Sequence, residues 1–124
     1  MAAGVLFDLD QTLIDSSSAL HIRGKGPWDP VYRLIPGFVL YEGIPELLAM
    51  LIERQVPLGI VTTSPRTYCT KVITHHGVLI EKLVCYHDTK KRKPFPDPIL
   101  KGIELLELPA ADVWAIGDDP KDIV

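Results

Sequence analysis

The 124-residue sequence predicts an α/β fold, a parallel β-sheet with helices on both faces. Four short apolar runs stand apart along the chain, and amphipathic helical stripes lie between them. Three of the four runs end directly in polar, reactive residues. Ligands of such sheets bind at the carboxyl ends of strands, so the pattern suggests a site as well as a fold.

The first run is Gly4-Val5-Leu6-Phe7, closed by Asp8. Short runs of branched and aromatic residues read as buried strands. The second is Pro57 to Val61, closed by Thr62-Thr63-Ser64, and the third is Leu83-Val84-Cys85-Tyr86. The fourth, Val113 to Ile116, is followed by Gly117-Asp118-Asp119. Between them, Ile44, Leu47, Leu48, Leu51 and Ile52 fall on one helix face, with Pro45 as the first helical residue. Tyr68, Val72 and Ile73 form a second stripe. Ser64-Pro65 reads as its N-cap and first-turn proline, and Gly77 as its stop. Ile99, Leu100, Ile103 and Leu106 form a third, opened by Asp97-Pro98. Right-handed crossovers follow from this order.

Residues from about 16 to 42 break the rhythm. Gly24, Gly26, Pro27, Pro30, Pro36 and Gly37 are interleaved with Trp28, Tyr32 and Phe38. This stretch reads as an irregular flap with a helical turn near Ala19 to Ile22, too short for a domain of its own. The expectation is one catalytic domain over residues 1–124.

Composition narrows the class. Hydrophobic residues make up 47%, which argues against disorder. A net charge of -3, with both signs spread along the chain, does not suggest a nucleic-acid binder. Cys69 and Cys85 lack metal-ligand spacing and read as reduced, buried thiols, with a single disulfide left open. There is no signal-peptide pattern and no apolar run near the ~20 residues of a membrane span, so a cytoplasmic, water-soluble protein is expected.

The chemistry begins at Asp8-Leu9-Asp10. Carboxylates two residues apart at a strand end can face one cleft if the chain stays extended. One can attack phosphorus, and the other can protonate the leaving oxygen and later deprotonate water. Alone, such a pair reads more often as a solvated acidic turn. Here Phe7-Asp8-Leu9-Asp10-Gln11-Thr12-Leu13 resembles the first motif of the haloacid dehalogenase superfamily, D-x-D-x-T. Three further blocks follow in that family's order: Thr62 at the end of the second run, Lys93 in Lys93-Pro94-Phe95-Pro96-Asp97-Pro98, and Gly117-Asp118-Asp119-Pro120-Lys121-Asp122. The set spans residues 8–122.

The resemblance implies a three-layer, Rossmann-like catalytic fold and a Mg²⁺-dependent phosphatase working through an aspartyl-phosphate. Asp8 would be the nucleophile and a metal ligand, and Asp10 the general acid/base, with its carbonyl on the metal. Asp118 and Asp122 would complete the metal's carboxylates. Thr62, Thr63 and Ser64 would hold phosphate, the last two through amides at a helix start. Lys93 would neutralise Asp8 and the transferring group. Asp10 favours phosphatase over dehalogenase, because relatives that cleave carbon–halogen bonds lack it. Gln11 stands where many relatives carry glycine.

Plainer roles stand beside these. Thr62 could serve only as a helix cap, and Asp119 and Asp122 could favour a helix N-terminus by charge. Lys90, Lys91 and Arg92 read as surface charge, His75-His76 as a helix-end pair, and Trp28 and Trp114 as packing. The resemblance also implies two departures. The flap is too small for the cap domain of many relatives, so the expected site is open, able to take small or macromolecular phosphorylated substrates or to be covered by a second subunit in a homodimer. The sequence stops two residues past Asp122, where relatives continue, so it reads as a short member or a fragment. Two alternatives stay open: a non-catalytic binding domain, and a phosphotransferase using the same aspartyl-phosphate.

Overall fold

The four apolar runs become strands that pair in parallel, in the order third, second, first, fourth across the sheet. The computed structural model describes residues 3–91, 93 and 96–117. Its elements are β1 (Gly4–Phe7), β2 (Ile14–Asp15), α1 (Asp29–Leu34), β3 (Val39–Leu40), α2 (Ile44–Glu53), β4 (Leu58–Val61), α3 (Arg66–His75), β5 (Lys82–Val84), α4 (Asp97–Leu106) and β6 (Val113–Ile116). Phe7 is in register with Ile60 on one side and Ile116 on the other, and Val61 with Val84. That register brings Asp8, Thr62, Cys85 and Gly117 to one edge of the sheet. The Asp8 amide continues the ladder, donating to the Ile116 carbonyl at 2.9 Å.

Side-chain alternation sorts the core into two layers. Val5, Phe7 and Ile60 pack with Leu48 of α2 and with Tyr68, Cys69, Val72 and Ile73 of α3. Leu6, Val61 and Val84 face the other way and pack with Ile99 and Leu106 of α4. Helices therefore cover both faces, as the alternating pattern predicts. Close approach of α4 depends on Gly102: a Cβ there would lie 2.8 Å from Leu6 Cδ1 and 2.9 Å from Val61 Cγ2.

Local boundaries differ from the sequence reading in instructive ways. α3 begins at Arg66, with Pro65 just outside it in an extended conformation. Ser64 makes no side-chain cap, because its hydroxyl is engaged elsewhere. α2 starts at Ile44, so Pro45 is its second residue. Gly77 does sit past the end of α3, at φ +69°, a left-handed position suited to glycine. β5 stops at Val84, and Cys85 and Tyr86 belong to the turn that follows.

The flap is more ordered in its secondary structure than its proline and glycine content suggests. It carries a 3₁₀ turn at Ser17–Ala19, the short helix α1 and a second 3₁₀ turn at Ile35–Gly37. Its ends are tied by the antiparallel pair β2–β3, with Ile14 opposite Leu40. Val31, Ile35 and Phe38 drop into the core shared with α3, and His76 Nε2 donates to the Ile35 carbonyl at 2.9 Å. Trp28 packs as expected, with its ring 5.3 Å from that of Tyr68. Trp114 does not: on β6 it is 70% exposed. Cys69 and Cys85 are free thiols, both buried. No helix among the described residues is long and apolar enough to cross a membrane.

Candidate functional site

The site lies where β1 and β4 end. Asp8 leaves β1 with its side chain 12% exposed, and its Oδ1 accepts the Leu9 amide at 2.9 Å. Lys93 Nζ stands 3.4 Å from the same oxygen, on a side chain only 2% exposed. Burying an ammonium is costly unless an opposite charge compensates it, and Asp8 supplies that charge. The Lys93–Asp8 pairing read from the motifs is thus present in space across 85 residues of chain (93 − 8).

The chain then turns tightly. The Leu13 amide donates to the Leu9 carbonyl at 3.0 Å, and Gln11 takes φ +62°, the left-handed region. This explains why glycine suits the position. Gln11 offsets the strain with its side chain, whose Oε1 accepts the Ser16 amide at 2.8 Å. The turn aims Asp10 back over the strand ends.

Four side chains hold the Asp10 carboxylate. Ser16 Oγ and Tyr68 Oη donate to Oδ1 at 2.7 and 2.6 Å. Ser64 Oγ donates to Oδ2 at 3.0 Å, and Arg23 Nη1 lies 2.7 Å from the same oxygen. Burial works against the Arg23 charge, but Asp10 and Tyr68 outweigh it and raise the guanidinium pKa. The Tyr68 phenol is also pushed up, first by burial and then by the Asp10 charge. Sequence reasoning missed Ser16, Arg23 and Tyr68 as site residues. Tyr68 looked like core, and Arg23 belongs to no motif.

The flap thereby covers Asp10, whose side chain is 10% exposed. The site is less open than a capless reading implies, because Arg23 and Ser16 reach into it from the flap.

Thr62 is buried, and its Oγ1 accepts the Ser64 amide at 3.1 Å. Its hydroxyl hydrogen is left to donate elsewhere. The Ser64 amide, expected to face phosphate, is therefore engaged inside the turn, and the Ser64 hydroxyl goes to Asp10. Thr63 follows Thr62 on the same turn and lines a cavity beside it. Asp118 and Asp122, the two remaining acidic site candidates, lie outside the described residues. Among the described residues no group of three or more His, Cys, Asp or Glu side chains is placed to hold a metal.

A family model described as haloacid dehalogenase-like hydrolase matches residues 36–124. The chain belongs to this family. The matched stretch holds Thr62, Lys93, Asp118 and Asp122, while Asp8 and Asp10 precede it. Over 85 residues the chain is 35% identical to a protein of Caldanaerobacter subterraneus named provisionally as the pyrophosphatase PpaX, covering 67% of this chain and 39% of that one. It is 33% identical over 86 residues to an N-acetylmuramic acid 6-phosphate phosphatase of Pseudomonas putida, covering 68% and 39%. The matches thus span well under half the length of these curated relatives. In fold, it resembles a solved haloacid dehalogenase-superfamily hydrolase of Geobacter sulfurreducens with a TM-score of 0.79 at 19% identity, covering 98% of this chain and 80% of that one.

Proposed function

We propose that residues 1–124 form one catalytic unit of a phosphatase that hydrolyses a small phosphate monoester through an aspartyl-phosphate on Asp8. The observation that carries this is Lys93, whose side chain is only 2% exposed and whose Nζ stands 3.4 Å from a carboxylate at a strand end. A purely structural ion pair gains little from such burial, whereas a charge held in a dry site acts strongly on a reacting phosphoryl group. The named activities of the two relatives, both removal of phosphate groups, support the same reading.

In this reading an Asp8 carboxylate oxygen attacks phosphorus and the bond from phosphorus to the ester oxygen breaks. Asp10, a carboxylate in the free chain, first takes a proton from solvent, gives it to the departing oxygen, takes another from the water that attacks the acyl-phosphate, and returns that one to solvent. The bond to Asp8 breaks, phosphate leaves, and both carboxyl groups return to their starting states. Lys93 offsets charge on Asp8 and the phosphoryl oxygens, and Thr62 donates its free hydroxyl hydrogen to one of them. Thr63 contributes its amide from the turn between β4 and α3.

The donor set suits Mg²⁺, since carboxylates and a carbonyl are hard oxygen ligands and neither thiol nor imidazole lies among them. Asp8, the Asp10 carbonyl, Asp118 and Asp122 would hold it. When bound, it supplies positive charge that reduces repulsion between phosphate and Asp8.

The test is phosphate release from simple phosphate esters with Mg²⁺ and with a chelator, in wild type and Asp8→Asn. Metal-dependent release that vanishes in Asp8→Asn supports the proposal. Release that survives the substitution, or none from a folded wild type, removes it.

A further inference from the structure

Beside Asp10 a cavity of about 350 Å³ opens between the flap and the turns after β4 and β5. Arg23, Trp28, Ser64, Tyr86 and His87 are among its lining residues. Two of these walls, Arg23 and Ser64, are the same side chains that hold Asp10 Oδ2. The cavity therefore begins at the groups that flank Asp10, and in the phosphatase reading an ester oxygen that takes its proton from Asp10 would lie at this end of it. Whatever is bonded to that oxygen extends into it.

The other walls are aromatic. Trp28 stands on the flap, backed by the rings of Tyr32 and Tyr68 at 6.1 and 5.3 Å. Tyr86 and His87 meet edge to face at 4.7 Å on the turn after β5. Tyr86 is 41% exposed, so part of its ring is open to a ligand. The turn that carries it is well braced. The Tyr86 amide donates to the Ser64 carbonyl at 3.0 Å, and Asp88 accepts the Cys85 amide at 2.7 Å while ion-paired to Arg66. The aromatic walls are thus held in place before any ligand arrives, which lowers the ordering cost of binding.

We infer that this cavity receives the leaving group of the substrate, and that the leaving group carries one ring with a flat apolar face. Tryptophan, tyrosine and histidine rings stack on such faces, and the volume lies near the lower end of small-ligand pockets, room for a ring and its substituents rather than a polymer. An aromatic ring and the apolar face of a sugar share this chemistry. The inference rests on the phosphatase reading, since it places the scissile oxygen at Asp10.

The test uses the full chain and three alkyl phosphates with similar leaving oxygens: benzyl phosphate, glucose 6-phosphate and glycerol 3-phosphate. Wild type favours at least one ring ester over glycerol 3-phosphate in kcat/KM, and which one separates an aromatic from a sugar leaving group. Tyr86→Ala, on an exposed turn, and Trp28→Leu each cut that preference about five- to ten-fold, the scale of one lost ring contact. Equal turnover of all three esters by wild type, or a preference unchanged in both variants, overturns the inference while leaving the phosphatase reading intact. If no ester is turned over, the phosphatase reading falls, and binding still decides the cavity. Benzyl phosphate or glucose 6-phosphate then gives a saturable change in tryptophan fluorescence that persists in Trp114→Phe and is lost in Trp28→Leu. Absence of that change for both overturns the inference.

Discussion

Arg23 Nη1 lies 2.7 Å from Asp10 Oδ2, an ion pair that joins the flap to the loop following β1. The two side chains are 23% and 10% exposed, so water screens the pair only partly. Arg23→Ala removes this charge and leaves Asp10 with three hydroxyl donors, at an expected cost of about 1–2 kcal/mol in urea unfolding. Asp10→Asn has a similar cost. The double variant loses less than the sum, with a coupling of about 1 kcal/mol. Strict additivity would mean that the pair does not hold the flap.

Tyr68 gives a pH signature. Burial and the Asp10 charge both raise its phenol pKa in the folded chain. In the unfolded chain the phenol ionises near pH ~10. Between these values the unfolded state has lost the proton and the folded state has kept it. The contribution of Tyr68 is therefore complete below pH ~10 and declines as pH rises from there toward the folded value. Urea unfolding on both sides of pH ~10 should show wild type losing stability relative to Tyr68→Phe as the solution becomes more alkaline. A gap that stays constant contradicts this.

Leu6 is pinched between two glycines. A Cβ on Gly59 would lie 2.8 Å from Leu6 Cδ2, and one on Gly102 would lie 2.8 Å from Leu6 Cδ1. Leu6 cannot swing away from one without meeting the other. Gly102→Ala gains about 1 kcal/mol in helix propensity but overpacks this layer at a cost of about 1–3 kcal/mol. The expected result is lower stability, partly restored by Leu6→Val in the same chain. A stabilised Gly102→Ala would show that α4 can move away freely.

Lys93→Met tests the buried ammonium directly. Methionine has similar length and no charge, so packing is largely kept while the 3.4 Å contact with Asp8 is lost. Phosphate-ester turnover should fall about 10²–10³-fold, as for other donors aimed at a transferring group. A loss under about ten-fold would assign Lys93 a structural role.

Much of this fold is legible in the sequence because strands and helices announce themselves by different periods. Gly4–Phe7, Leu58–Val61 and Val113–Ile116 are short, apolar and bounded by polar residues, and they form strands at those positions. The third run is only half right. Cys85 and Tyr86 continue the apolar composition, but the Tyr86 amide leaves the ladder for the Ser64 carbonyl. Composition cannot show where a hydrogen-bond direction changes.

The same Asp-Pro signal opens α1 at Asp29-Pro30 and α4 at Asp97-Pro98. It is readable at α4 because an apolar stripe follows, and unreadable at α1 because the helix has only six residues. In the site, Asp8 and Lys93 were legible as a pair because motif order carries them. The hold on Asp10 was not. Ser16, Arg23, Ser64 and Tyr68 converge on it from the flap, the turn after β4 and α3, and only the packing of the flap on α3 brings them together.

The most direct test of the account is covalent capture of phosphate on Asp8. The wild-type chain would be mixed with Mg²⁺ and a fast phosphoryl donor such as acetyl phosphate, quenched in acid, and its peptides weighed. The account predicts one peptide, Gly4 to Leu13 or a fragment containing Asp8, heavier by one phosphoryl group and unmodified in Asp8→Asn. Phosphate found on another residue, or turnover with no modified Asp8 in any quench time, would contradict it.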